Sequence, residues 1–283
     1  MPNPALNEKV FQRESGGELR DGWAAPDRPI PAAPDTVSPW TPAPPRSAGD
    51  DDVITVRGIT SATGVLLALL LVGAAVGWAQ VVVKTTGVGD FEQVTADVPV
   101  LLFPALLVAV GLAFATIFRP RWARITAPLY AVAEGLVVGA ISHLYDAEYA
   151  GIVLQAVGLT VFVFAFMLVM FATGRIRVTE KMRTMIITST FAIFAVYLVS
   201  MVARLVGGDV PFIHDSGMFG IVFSVLVVGV ASMNLLLDFD FCQRAVAARA
   251  PKTMEWYSAF ALVLTLVWLY LELLRLLSKL RAR

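Results

Sequence analysis

Four acidic side chains stand inside long apolar stretches of this chain, at Glu134, Asp238, Asp240 and Glu272. A charge at the centre of a bilayer costs about 2.5–3.5 kcal/mol on insertion scales, so ionisable residues in membrane segments commonly face the bundle interior and carry function. A medium of low dielectric constant favours the neutral form of a carboxyl group, and hard cations prefer oxygen ligands. The pattern therefore makes these four carboxylates candidates for function.

The spacing of these carboxylates limits what they can do together. Asp238 and Asp240 are two residues apart, about 200° around a helix, so only one can face the interior if the helix continues through both. The alternative is an interfacial aspartate that merely ends the helix. Glu134 is predicted about 14 Å into its apolar stretch, near the midplane, where it could line one cavity with Asp238. Its alternative is a structural hydrogen bond within the bundle.

Glu272 is predicted about 24 Å along its apolar stretch, close to the opposite surface from Asp238. An ion pair with Arg275 or Lys279 is the favoured interpretation of Glu272, so we expect it to matter less for a pH response. Asn234 offers a further oxygen ligand inside the predicted membrane core.

Seven apolar runs position these residues. A helix needs about 20 apolar residues, at ~1.5 Å rise each, to cross ~30 Å of hydrocarbon. Hydrophobic residues make up 57% of the chain, and its mean hydropathy is +0.73. A soluble protein of this composition would not have enough polar residues to cover its surface. We therefore predict an all-α polytopic membrane protein with spans at roughly 59–83, 97–118, 125–145, 149–173, 184–206, 217–239 and 256–278.

Composition excludes several classes of function. The 22 basic and 22 acidic residues balance, so neither a nucleic-acid partner nor a charged soluble partner is indicated. Cys242 is the only cysteine, and the two histidines, His143 and His214, are interpreted as solvated residues in or near outer loops. The chain has no HExxH, Walker or dinucleotide-binding motif. We expect no cofactor and no enzymatic activity.

The first 52 residues differ sharply from the rest. Ten of the sixteen prolines lie before residue 46, and proline removes backbone donors and favours extended conformations. The segment contains no apolar run of the kind found in signal peptides. We predict a disordered cytoplasmic tail over residues 1–52 and a membrane domain over residues 53–283.

The loops between the runs alternate in charge. Because basic loops stay in the cytoplasm, the pattern predicts a cytoplasmic N-terminus and, after seven crossings, an external C-terminus. The basic end of the chain opposes this orientation, and a re-entrant last span is the alternative. The basic loops carry Arg119, Arg121, Arg124, Arg175, Arg177, Lys181, Arg183, Arg244, Arg249 and Lys252, and the acidic loops carry Asp90, Glu92, Asp97, Asp146, Glu148, Asp209 and Asp215.

Two small-xxx-small motifs predict close helix packing. They are Gly73-Ala-Ala-Val-Gly77 in the first span and Gly135-Leu-Val-Val-Gly139 in the third. The motifs do not identify their partners, but packing within one bundle is favoured over dimerisation.

Two segments resemble the transmembrane Bax inhibitor motif family, in its bacterial branch. They are Tyr130-Ala-Val-Ala-Glu134-Gly-Leu-Val-Val-Gly139-Ala-Ile-Ser142 and Leu237-Asp238-Phe239-Asp240. The resemblance covers about residues 55–279 and leaves the tail outside. It implies six helices around a central seventh, in the plasma membrane of a bacterium, and a pH-sensitive calcium leak.

The resemblance also implies a pair of aspartates that share a proton, on helices six and seven. The first maps onto Asp238 or Asp240, and the second falls near Thr265, where this chain has no carboxylate. Deprotonation of such a pair favours opening by repulsion, and a shared proton holds the pathway shut. Glu134 with Asp238 or Asp240 is the expected replacement. The implied partners are membrane lipid, Ca²⁺ and protons; the alternative function is a non-conducting scaffold or stress modulator.

Overall fold

The computed structural model describes residues 52–86, 93–97, 100, 102–205 and 217–282. The predicted disordered tail, except Asp52, lies outside the described residues. The same is true of His214 and of four acidic loop residues, which are Asp90, Glu92, Asp209 and Asp215.

The described chain contains seven α-helices and one short antiparallel ribbon. The helices are α1 (Val56–Gln80), α2 (Leu102–Phe118), α3 (Ala123–Glu148), α4 (Ile152–Ala172), α5 (Glu180–Leu205), α6 (Met218–Ala247) and α7 (Met254–Arg281). The ribbon pairs β1 (Val82–Thr86) with β2 (Gln93–Asp97), between α1 and α2. Six of the described helices are long and apolar enough to cross a membrane, whereas α2, with 17 residues, is shorter.

Several predicted boundaries are wrong at the helix ends. The first span stops at Gln80, where the ribbon begins, and α3 continues to Glu148, so Asp146 lies in a helical turn. The largest correction concerns α6, which was predicted to end at residue 239 but continues to Ala247. Hydropathy falls after Asp238, but an ion pair at i,i+4 between Asp240 and Arg244 supports the polar extension.

The two glycine motifs pack against each other, which brings α1 and α3 into backbone contact. A methyl group added at Gly77 would overlap the Leu136 carbonyl oxygen, and one added at Gly139 would overlap the Ala74 carbonyl oxygen. Only glycine allows so close an approach. The motifs therefore join two helices of one bundle, as the sequence favoured.

Helix α7 presents different faces to two hydrophobic clusters. Phe260, Val263 and Val267 belong to a cluster with residues of α1, α3 and α4. Leu262 and Leu269 belong to a second cluster with α6 and the start of α1. Tyr197 of α5 also reaches α7 by a hydrogen bond. Five helices thus contact α7, which separates the α3 side of the bundle from the α6 side.

Helix α7 is one uninterrupted helix that extends from one end of the bundle to the other. Its first turn meets the start of α1, where Thr55 N donates to Glu255 Oε1 over 3.0 Å. At its last turn Arg281 donates to Ala150 O, in the connection between α3 and α4, over 2.8 Å. These contacts show that α7 runs the length of the described bundle.

Candidate proton and cation site

The α6–α7 interface contains a buried to half-buried polar cluster made of residues from two helical faces. Asp238 and Cys242 are four residues apart on α6, and Ser258 and Thr265 are seven apart on α7, so each pair shares one face of its helix. The Thr265 hydroxyl lies beside the Asp238 carboxylate, where it can donate a hydrogen bond to it. The Cys242 thiol lies beside both Asp238 and Ser258. We call these four residues the α6–α7 polar cluster.

Two oxygens of this cluster are buried without a hydrogen-bond partner in the described part of the chain. They are Asp238 Oδ2 and Ser258 Oγ. A thiol such as that of Cys242 is only a weak hydrogen-bonding group, so it does not replace a partner for either oxygen. Buried polar atoms without partners are rare, and each invites a bound proton, water or ion as its explanation.

Asp238 lies much deeper in the bundle than the sequence analysis placed it. It stands nine residues, or about 14 Å, before the end of α6, and Thr265 stands eleven residues, or about 16 Å, after the start of α7. The prediction that the helix ends close to Asp238 is therefore wrong. Asp238 is half-buried, and its Oδ2 is fully buried.

Asp240 points away from the α6–α7 polar cluster. Its Oδ2 accepts from Arg183 of α5 over 3.2 Å and from Arg244 of α6. The helix continues through both aspartates, and the turn of about 200° between them sends them to different neighbours. Asp238 is therefore the aspartate that faces α7, while Asp240 is held by two guanidinium groups.

Glu134 lies on the other side of α7 from Asp238. It stands one turn after Tyr130, whose ring packs edge-on against Phe260 at 5.0 Å, on the α3 side of α7. The side chains that the structure gives Asp238 as neighbours belong to α6 and α7 instead. A pairing of Glu134 with Asp238 or Asp240 stays a prediction, which none of these contacts supports.

Asn234 stands one turn before Asp238 but faces α5. Its side-chain amide donates to Thr190 Oγ1 over 2.8 Å and to Val230 O over 2.9 Å. Asn234 therefore ties α6 to α5, and its amide nitrogen is already engaged.

Glu272 forms the second buried acidic site, about 10 Å farther along α7 than Thr265. Its side chain is only 2% exposed, and its Oε1 accepts from Arg275 over 2.9 Å and from Tyr197 over 2.9 Å. The ion pair with Arg275 was predicted, but the burial of Glu272 within the bundle was not. Lys279 takes other partners, because its Nζ donates to Gly220 O and Ser224 Oγ, each over 3.0 Å.

Sequence reasoning missed Glu255, which is buried at the first turn of α7. Its Oε1 accepts from Thr55 N over 3.0 Å and from Thr55 Oγ1 over 2.9 Å, and Thr55 is the N-cap of α1. Gly58 leaves the space for the carboxylate, since a methyl group there would overlap it. An acidic residue in the first turn of a helix was the available signal. Ser258 and Cys242 were missed too, although their spacing from Thr265 and Asp238 was visible.

His143 is also corrected, because it lies within α3 and not in a solvated loop. Its ring stacks on Trp78 of α1 with centroids 4.6 Å apart, and its Nδ1 lies 2.9 Å from Trp78 O. Among the described residues, no three His, Cys, Asp or Glu side chains converge in a group suited to a metal ion.

The described chain is a bundle of apolar helices with a small-residue contact between α1 and α3 and a polar cluster between α6 and α7. A family model described as Bax inhibitor 1 like matches residues 3–282. The chain belongs to the Bax inhibitor 1-like family. No curated protein shows a significant match to it.

The Bax inhibitor 1-like match is wider than the motifs indicated. It begins at residue 3 and so includes the N-terminal segment, which the sequence analysis placed outside the resemblance. The chain is thus a Bax inhibitor 1-like membrane protein with several apolar helices. Thr265, the position to which the second family aspartate was aligned, does face Asp238.

Proposed function

We propose that this Bax inhibitor 1-like protein is a cation leak whose opening is controlled by a proton on Asp238. The observation that carries the proposal is the buried oxygen Asp238 Oδ2, which has no hydrogen-bond partner in the described chain although the residue as a whole is half-buried. The family's second aspartate is replaced by Thr265, so a single carboxylate does the sensing. Repulsion between two carboxylates cannot open this interface.

The physical basis of the proposed gate is the cost of a charge inside the bundle. A protonated Asp238 is neutral and can donate its own proton, so α6 and α7 remain packed. A deprotonated Asp238 has one hydroxyl donor, Thr265, and a charge that needs further solvation. Water and a cation supply that solvation if the helices part. Flux is therefore expected to rise with pH.

Among the residues that the structure describes, the charged groups near Asp238 do not offer an alternative counter-ion. Arg183 and Arg244 bind Asp240, on another face of α6. On the α7 side the neighbour of Asp238 is the Thr265 hydroxyl, and on α6 it is the Cys242 thiol, which itself lies beside Ser258. A permeating cation is the partner that this carboxylate accepts in the open state.

The permeating ion is proposed to be a hard cation such as Ca²⁺. The α6–α7 polar cluster offers carboxylate and hydroxyl oxygens, which are the ligands hard cations prefer, together with one thiol. Glu134 is kept as a second proton-binding candidate on the α3 side of α7. No catalytic role, nucleic-acid partner or cofactor is proposed.

The arrangement in the membrane is part of the proposal. We place six helices around a central α7, because five helices contact it and its residues take part in both large clusters. Because basic connections stay in the cytoplasm, we place the end of the bundle where α7 begins on the cytoplasmic side of a bacterial plasma membrane, and the C-terminus outside.

Flux through the purified protein tests the proposal against the scaffold alternative. Proteoliposomes that contain only this protein and a calcium-sensitive dye are exposed to external Ca²⁺ between pH 5 and pH 8. Uptake that rises with pH and is missing from protein-free vesicles supports the leak. Vesicles that hold folded protein but take up no more Ca²⁺, Na⁺ or K⁺ than empty ones at any pH would establish the scaffold alternative instead.

A further inference from the structure

A cleft of about 510 Å³ separates α1 from α4, with α3 and α7 as its floor. One wall is formed by α1 from Leu67 to Trp78, and the other by α4 from Val153 to Phe164. The rim is open to the surroundings, since Leu71 is 65% exposed on α1 and Val161 is 60% exposed on α4. The cleft does not include Asp238 or any other residue of the α6–α7 polar cluster.

The walls of the cleft suit hydrocarbon better than water. Three of its lining residues carry hydroxyl groups, and these are already hydrogen-bonded. Ser142 Oγ donates to Val138 O over 2.6 Å and lies 2.7 Å from Tyr270 Oη, and Thr160 donates to Ala156 O over 2.7 Å. A buried water needs two to four polar partners, which this cleft does not provide.

The length of the cleft matches one leaflet of a bilayer. Leu67 and Trp78 are eleven residues apart, about 16 Å along α1, and half of a hydrocarbon core of ~30 Å is ~15 Å. Trp78 stands near the last turn of α1, and tryptophan is enriched where the hydrocarbon meets the headgroups. The cleft therefore runs from the bundle middle to the headgroup level of one leaflet.

We propose that this cleft binds one acyl chain of a membrane lipid, from the leaflet at the end of the bundle where α1 finishes. The volume is more than three times that of a ~150 Å³ apolar cavity able to hold benzene, which is enough for a chain segment. Acyl chains surround the rim of the cleft wherever these helices cross a membrane. The proposal is independent of ion flux and of Asp238.

Photocrosslinking with a lipid probe tests the site in the full-length protein. The protein is reconstituted with a phosphatidylcholine that carries a diazirine in the middle of one acyl chain, irradiated and digested, and adducts are mapped by mass spectrometry. Val267 and Tyr270 line the floor and are each under 10% exposed, so annular lipid does not reach them. Adducts on these α7 residues are the expected result.

A matched pair of variants on α4 makes the test specific. Val157→Trp fills the rim of the cleft, whereas Leu154→Trp adds the same bulk at an exposed position that does not line it. Val157→Trp should reduce the α7 adducts at least ~5-fold, and Leu154→Trp should leave them unchanged. If Val157→Trp does not fold, Ala75→Phe fills the cleft from the α1 wall.

Three results would overturn the proposal. Adducts could fall on the outer surface, for example on Phe103, with none on the α7 floor. The α7 adducts could persist undiminished in the folded cleft-filling variants. Chemical crosslinking could instead place a second copy of the chain against the floor, which would identify the cleft as an interface between copies.

Discussion

The α1–α3 interface and the α6–α7 interface are packed in opposite ways. Between α1 and α3 the glycine motifs leave no room for a side chain, and the backbones themselves are in contact. Between α6 and α7 full-sized side chains meet, and Asp238 and Ser258 each keep a buried oxygen without a hydrogen-bond partner in the described chain. One interface is complete, and the other has unmet hydrogen-bonding capacity.

This difference suggests a division of labour within the bundle. Backbone contact fixes α1 and α3 as a rigid pair, because a helix separated from its glycine partner loses close packing along a whole stripe. At the α6–α7 interface part of the cost of separation is offset, because water would satisfy the two buried oxygens. We therefore expect stability to depend on the first interface and the pH response to depend on the second.

The largest effect is expected from a side chain placed in the rigid interface. Gly139→Leu should abolish recovery of folded protein, because its Cβ would overlap the Ala74 carbonyl and force α1 from α3. Gly158→Leu, on α4, is the control, because nothing lies within 4 Å of an added Cβ there. Size-exclusion chromatography in detergent checks both. A monodisperse Gly139→Leu protein with the thermal stability of the wild type would contradict the rigid pair.

A second carboxylate in the α6–α7 polar cluster should shift the pH response. Thr265→Asp places two carboxylates in contact, and such pairs hold a shared proton to higher pH than one group alone. The pH of half-maximal flux should rise by about one unit or more. Thr265→Val is the control that removes the hydrogen bond without adding charge. Flux is measured across the pH range for both variants. If the pH of half-maximal flux in Thr265→Asp is the same as in the wild type, Asp238 does not control the gate.

A smaller effect is expected at the second buried carboxylate. Glu272→Gln keeps the hydrogen bond from Tyr197 but weakens the pair with Arg275, at a cost of about 1–2 kcal/mol in stability. The pH dependence of flux should stay as in the wild type, because the charge of Glu272 is already paired. Thermal unfolding and flux at several pH values provide the two measurements. A pH response that is flattened in this variant would show that the pH sensor lies at the Glu272 end of α7 and not at Asp238.

The sequence predicted features that depend on local composition. Seven helices, the two glycine motifs and the opposed directions of Asp238 and Asp240 follow from hydropathy, residue size and helical periodicity. The partner of each glycine motif did not follow, because a motif shows that its own helix permits close packing but does not show which helix packs against it. Similarly, the ion pair of Glu272 with Arg275 could be predicted because the two residues are three apart on one helix. The burial of Glu272 could not be predicted, because it depends on packing against Tyr197 of α5.

The wrong position predicted for Asp238 and the missed burial of Glu255 have one physical cause. The sequence analysis ended α6 where hydropathy falls, and so it placed Asp238 at a surface. The helix continues to Ala247 because the polar extension forms ion pairs with α5 and within itself. Glu255 was missed for a related reason, since its partner Thr55 is 200 residues away in the sequence. Tertiary partners of polar residues were the missing information in both cases.

The central claim is that a proton on Asp238 closes the leak. The most direct measurement is Ca²⁺ uptake against pH in proteoliposomes that hold Asp238→Asn, with Asp240→Asn as the matched variant two residues away. Asparagine keeps the shape of the side chain and cannot titrate, so Asp238→Asn should give the same uptake from pH 5 to pH 8. Asp240→Asn should retain the rise with pH. Equal retention of the rise in both folded variants would contradict the claim.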